Sequence, residues 1–296
     1  MNALTPRGFS HVDVFSARAG LGNPLAVVHA SQGLDTSAMQ AIASWMNLAE
    51  TTFLLPPSSA QADYRVRIFT TRQEIAFAGH PSIGSAHAVM EAGLATLPES
   101  GVLRQECQAG ILPIRISEDG GARLLSVRVP RSRIVRYAGS EDSALWKSLQ
   151  GCKLAQLSPA LVEGGRRWWL AELAGESDVR EMQPDANAIA ALAEATASLG
   201  LCVFARCPGQ DYGLVVRAYP LGVGLREDPA SGAANAAIAA FLDEAGALEG
   251  LGRNYSVSQG REMSRDARLQ LAIDAEGQVW VGGECHGVVR GTLRWQ

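Results

Sequence analysis

Residues 63–94 read DYRVRIFTTRQEIAFAGHPSIGSAHAVMEAGL, and residues 211–242 read DYGLVVRAYPLGVGLREDPASGAANAAIAAFL. The second stretch lies 148 positions after the first, half of the 296-residue chain. Laid over one another without a gap, they coincide at eight of 32 positions: Asp63-Tyr64 with Asp211-Tyr212, Pro81 with Pro229, Gly84 with Gly232, Ala86 with Ala234, Ala88 with Ala236, Ala92 with Ala240 and Leu94 with Leu242. Alanine and glycine are common throughout, so the identities alone weigh little. The shared punctuation weighs more, because each stretch runs from a β-prone segment through a turn to a helix of small residues. An internal duplication therefore stands ahead of two ordinary strand–helix units of similar composition.

Outward from this core, both halves mix strands and helices. His11–Phe15, Leu25–Val28, Thr51–Leu55, Tyr64–Thr70, Ile111–Ile116 and Leu124–Val129 read as strands. Met39, Ile42, Ala43 and Met46 recur at helical spacing over Ser37–Met46, with Asp35 or Thr36 as cap. Ser82–Ala92 reads as a helix. In the second half Ala186–Leu199 and Pro229–Leu242 read as helices. Cys202–Ala205, Gly213–Tyr219, Asn254–Ser258, Leu269–Ile273, Val279–Gly282 and Val288–Leu293 read as strands.

The 148-residue shift lays His80 on Asp228 and Gly79 on Glu227, each just ahead of a helix whose first turn holds a proline. The repeated feature is then a polar residue at a helix N-terminus, where open backbone N–H groups and the helix dipole favour an anion. Two such ends facing one another would suit a small carboxylate.

Composition excludes several classes. A net charge of −4 has the wrong sign for a phosphate-backbone binder, so no nucleic-acid partner is expected. No stretch resembles a signal peptide or a membrane span. Five scattered cysteines without a CxxC pair point to reduced thiols and a cytoplasmic location. The 26 basic residues include only two lysines, Lys147 and Lys153, neither placed for a pyridoxal Schiff base. A Walker loop, HExxH, GxSxG and a full dinucleotide fingerprint are all absent, so no metal and no cofactor is expected. Trp168-Trp169 beside Arg166 and Arg167 reads as a strand edge rather than a binding patch.

Five patches occur in order along the chain: Gly22-Asn23-Pro24-Leu25-Ala26-Val27-Val28, Asn47-Leu48-Ala49-Glu50-Thr51-Thr52-Phe53, Gly79-His80-Pro81-Ser82-Ile83-Gly84, Glu227–Ala233, and Gln259-Gly260 followed by Met263 and Arg265. Together they resemble the PhzF-like family of phenazine biosynthesis. The resemblance implies the diaminopimelate-epimerase fold, an α+β architecture. It has two similar halves, each a curved antiparallel sheet wrapped around a central helix, with the active site in the cleft between them. The expected division is 1–129, completed by a last strand at about 285–296, and 130–284. Family members are generally homodimers, which sets that expectation here.

Glu50 is the leading catalytic candidate. It sits at a helix-to-strand junction and is the only ionisable side chain from Met46 to Ser59. A carboxyl in apolar surroundings has a raised pKa and can both take and return a proton. By resemblance Glu50 is the general acid/base. Asp228 would hold an amino group or assist proton transfer, and His80 would donate a hydrogen bond or relay a proton. Gly79, Ser82 and Gly84, with Ser231, Gly232 and Ala233, complete the expected substrate-binding set. The family pattern usually has serine where this chain has Ala233, and a methyl group carries no proton. Ser231 or Asn235 are the residues at hand to replace that contact.

The expected function is a cofactor-independent isomerase or epimerase acting on a small, amino-bearing carboxylic acid. A lyase or dehydratase on the same scaffold and a non-catalytic small-molecule binder are the rival readings.

Overall fold

The computed structural model describes residues 5–295. The chain forms two compact units, Met1–Arg128 with Gly282–Gln296, and Val129–Val281. The first contains β1 (Arg7–Val14), β2 (Asn23–Val28), α1 (Thr36–Met46), β3 (Glu50–Leu55), β4 (Tyr64–Thr70), β5 (Glu74–Ile75), α2 (Gly79–Glu91), β6 (Val102–Cys107), β7 (Gly110–Asp119) and β8 (Ala122–Arg128). The second contains β9 (Arg133–Tyr137), α3 (Ser143–Ser148), β10 (Ala160–Glu163), β11 (Arg167–Glu172), α4 (Glu176–Glu181), α5 (Ala186–Thr196), β12 (Leu201–Arg206), β13 (Leu214–Tyr219), α6 (Gly232–Glu244), β14 (Asn254–Gln259) and β15 (Ala267–Ile273). The chain passes through β16 (Val279–Gly283) and returns to the first unit as β17 (Cys285–Leu293), which pairs antiparallel with β1 from Arg7↔Leu293 to Val14↔Cys285. Among the described residues no helix is long and apolar enough to cross a membrane.

The two units repeat one pairing scheme. In the first, β2 runs parallel to β3, β3 antiparallel to β4, β4 parallel to β6, and β6 antiparallel to β7. In the second, β11–β12, β12–β13, β13–β14 and β14–β15 follow the same sequence of directions. Each parallel pair spans a helix-bearing crossover, as parallel neighbours require. The fold is thus α+β, its antiparallel ladders joined by parallel pairs at the crossovers. Trp168 and Trp169 lie buried on β11, which has a neighbour on each side, so this strand is interior and not the edge expected.

Side chains explain the helices. Asp35 Oδ1 accepts the Ala38 N–H at 2.7 Å and starts α1; Asp185 does the same for α5 through Asn187 and Ala188. Both helices stop on a left-handed residue, Asn47 (φ 55°) and Ala197 (φ 47°). The longer α2 and α6 are buried almost all round and rich in glycine, alanine and serine. α2 touches β1, β2, β3, β4, β6, β7, β8 and β17, so the curved sheet of the first unit encloses it. A Cβ on Gly84 would lie 2.6 Å from Leu25 Cδ2 and 2.7 Å from Val14 Cγ2, closer than packed carbons approach.

The ungapped 148-residue shift is corrected by the structure. Asp35 and Asp185, the two helix caps, are 150 apart; Gly79 and Gly232, where the central helices begin, are 153 apart. His80 therefore corresponds to Ala233, not to Asp228. His80 lies inside the first turn of α2 rather than ahead of it, and Pro229 precedes the Ser231 N-cap rather than lying in the helix. The longer loop through the short 3₁₀ turn Leu221–Val223 accommodates the extra residues.

Candidate active site

Glu50 is the first residue of β3, three residues beyond the left-handed Asn47 that ends α1. Its partly buried carboxyl has Oε2 3.3 Å from Nδ1 of His80, the second residue of α2. His80 is 7% exposed, and this burial pushes its pKa down to about 4, with a hydrogen bond donated by the ring to the Pro24 carbonyl acting in the opposite direction. At neutral pH the contact is therefore one between a carboxyl and a neutral imidazole, not an ion pair. Nε2 of the same ring is buried and has no hydrogen-bond partner among the described residues. Pro24, Glu50 and His80 belong to three of the patches picked out in the sequence, and the first unit brings all three together.

The rest of the first motif divides. Gly79 opens α2, and the preceding Ala78 supplies no side-chain cap, so the first N–H groups of the helix are not consumed that way. Ser82 is fully occupied internally: its Oγ donates to the Ala78 carbonyl at 2.9 Å and accepts from Gln105 Nε2 at 2.9 Å. Gln105 Oε1 in turn accepts from Tyr64. Gly84 faces Leu25 and Val14. Both residues were expected to bind substrate; their side-chain environments are those of helix packing.

In the second unit Asp228 forms an isolated bridge, its N–H donating to the Ala218 carbonyl at 2.9 Å, while its Oδ1 accepts the Ala230 N–H at 3.1 Å. Ser231 caps α6, its Oγ accepting from Ala234 N–H. Gly232 is buried and Ala233 exposed. Neither expected substitute for the missing serine hydroxyl is idle. Asn235 Nδ2 donates to the Ser231 carbonyl (2.9 Å) and to Gln259 Oε1 (2.8 Å), which leaves Oδ1 buried and without a partner among the described residues.

Two features escaped sequence reasoning. Glu227, next to Asp228, is held in a fork by buried Arg217, Nε to Oε1 at 2.9 Å and Nη2 to Oε2 at 3.0 Å. Arg67 grips Glu74 in the same way, at 2.7 Å twice. Each arginine also lies over the aromatic ring two residues on, Phe69 or Tyr219, at 5.2 Å. The repeated Arg-x-aromatic pattern, 150 residues apart, was the available signal. The second feature is Gln259, whose patch was quoted but whose contacts no pattern reveals.

The thiols do not compete with Glu50. Burial pushes all five upward, Cys207 to about 12, which keeps them protonated and weakly nucleophilic. Among the described residues no group of three His, Cys, Asp or Glu side chains is placed to hold a metal ion.

Comparison with known proteins gives the family and the fold. The family model described as "Phenazine biosynthesis-like protein" matches residues 12–291. The Antisense-enhancing sequence 1 protein of Schizosaccharomyces pombe is 32% identical, over 97% of this chain and 99% of its own. The trans-2,3-dihydro-3-hydroxyanthranilate isomerase of Pseudomonas chlororaphis is 28% identical, over 95% and 97%. The crystal structure of a Bacillus anthracis PhzF-family protein superposes with a TM-score of 0.83 at 24% identity, covering 98% of this chain and 99% of that one, and so shares the fold. On the match of the family model over residues 12–291 and the coverage of these relatives, the chain belongs to the phenazine biosynthesis-like family and to the isomerase class of its curated relatives.

Proposed function

We propose that this isomerase moves a proton between carbon atoms of a small, amino-bearing carboxylic acid without a cofactor. The observation that carries the reading is the Glu50 carboxyl set against a neutral, buried His80 at the start of α2. As carboxylate, Glu50 accepts a proton from carbon. The electron pair left behind spreads into the substrate's own unsaturation, and the protonated Glu50 returns the proton at another carbon or face. The neutral imidazole adds no positive charge beside the carboxylate, and its unpartnered Nε2 can accept a hydrogen bond from a substrate donor. The N–H groups of Gly79 and His80, at the start of α2 that no side chain caps, suit a substrate carboxylate and the charge that develops on it, and Gly232 and Ala233 open α6 in the same way. Asp228 is assigned the amino group. Ser231, Ser82 and Gly84 shape the helix starts.

The substrate in the name of the Pseudomonas relative bears a carboxylate, an amine and a partly unsaturated ring. It has the activated carbon acid that this chemistry needs and is the first compound to try. Incubation in deuterated water should give a product of unchanged composition except for one deuterium on carbon. Glu50→Gln should lower that incorporation by about 10²–10⁴-fold, the usual contribution of a general acid/base. A product lighter by water or ammonia establishes a lyase instead. Tight binding without exchange establishes a binder. Undiminished exchange in Glu50→Gln removes Glu50 from the mechanism.

A further inference from the structure

We propose that Gln259 is a positioning residue, a single buried amide that ties both ends of the Asp228–Ser231 turn and so fixes the Asp228 carboxylate against the start of α6. Its Nε2 donates to the Asp228 carbonyl at 2.8 Å, and its Oε1 accepts from the Ser231 N–H at 3.2 Å and from Asn235 Nδ2 at 2.8 Å. Gln259 is 1% exposed, so water cannot take over these roles. The next residue closes the same clamp: Gly260 has φ +95°, and a Cβ there would stand 2.5 Å from the Pro229 carbonyl oxygen.

The clamp is anchored behind. Arg180 joins Ser258 Oγ (2.9 Å), Glu262 Oε1 (3.0 Å) and Glu176 Oε1 (3.0 Å), holding the strand end and the turn on either side of Gln259. The first unit carries a simpler form, in which Gln105 bonds Ser82, the fourth residue of α2; Asn235 is the fourth residue of α6. Only Gln259 reaches past its helix to a carboxylate-bearing turn. The inference rests on the assignment of Asp228 to the site, but the clamp itself is read without turnover.

The test compares hydrogen exchange in the full-length protein and in Gln259→Met, which keeps bulk and removes the amide. The Ala230, Ser231, Ala234 and Asn235 amides should lose at least tenfold in protection, with Val203 and Val215 on β12 and β13 unchanged. Gln259→Glu should regain protection at pH 5 relative to pH 8, because only the protonated carboxyl both donates to Asp228 and accepts from Ser231. No loss in Gln259→Met, or loss spread evenly over β12, β13 and β14, overturns the proposal. If trans-2,3-dihydro-3-hydroxyanthranilate exchanges deuterium, Gln259→Met should lower kcat tenfold or more, and should cost nothing further in an Asp228→Asn background. An additive loss there overturns action through Asp228. Absence of any turnover bears on the proposed reaction, while the exchange pattern still decides the clamp.

Discussion

The neutrality of His80 makes the sharpest prediction. An unfolded histidine titrates near 6.5 and the folded one near 4, so below pH 6.5 the unfolded chain binds more protons than the native state. Stability must then fall as pH drops, from about 6.5 down to about 4. With these two values, the loss between pH 7.5 and pH 5 comes to about 2 kcal/mol, and the full loss to about 3 kcal/mol. His29 and His87 also titrate below the ordinary value, pushed down mainly by burial, and add slope of the same sign. The contribution of His80 is therefore read as a difference. Urea unfolding at both pH values should show wild type losing about 2 kcal/mol more than His80→Gln. Ring-nitrogen NMR on histidine-labelled protein checks the cause directly, with His80 still neutral at pH 5.5. A ring that gains its proton near or above pH 6.5, or a His80→Gln variant with an undiminished pH slope, would show that the carboxyl at 3.3 Å outweighs burial and that the site holds an ion pair.

Two other perturbations bear on the second unit. Glu227→Ala takes the carboxylate from the buried Arg217 guanidinium, which keeps the Met182, Val179 and Arg180 carbonyls, and should cost about 3–5 kcal/mol, read as a fall in denaturation midpoint that Glu227→Gln, with one acceptor oxygen retained, only partly reproduces. Gly260→Ala forces a side chain into the left-handed region for about 1–2 kcal/mol and drives a methyl against the Pro229 carbonyl. Its melting temperature should drop by several degrees, with extra hydrogen exchange centred on 228–231; a neutral effect would contradict the close approach.

Much of this architecture can be read from residue order. The Asp35 cap with Met39, Ile42 and Ala43 behind it specifies α1 almost to its ends, because cap and stripe agree. Glu50 at the junction with β3 and His80 beside it were both identifiable. What the sequence conceals is where the central helices begin. Small residues on every side leave no stripe to mark a first turn, so α2 starts at Gly79 instead of Ser82 and α6 at Gly232 instead of Pro229. The starts are off by three residues in opposite directions, so nothing in the local pattern corrected the ungapped 148-residue shift that placed His80 on Asp228. α3 and β9 were passed over because both are short and most of their side chains stay partly or fully exposed. Gln259, Gln105 and Arg217 act through contacts with residues distant in sequence, which no local period encodes.

The return of β17 to β1 sets an order for biosynthesis. Residues 15–284 separate the two partners, and at about 5–20 residues per second their translation occupies roughly 15–55 s. During that interval the whole of 129–281 emerges and can mature, while one flank of β1 waits with its peptide groups unsatisfied. An open strand flank is a template for pairing with other chains. The nascent polypeptide is thus most in need of a chaperone at β1, and for as long as β17 is still unmade.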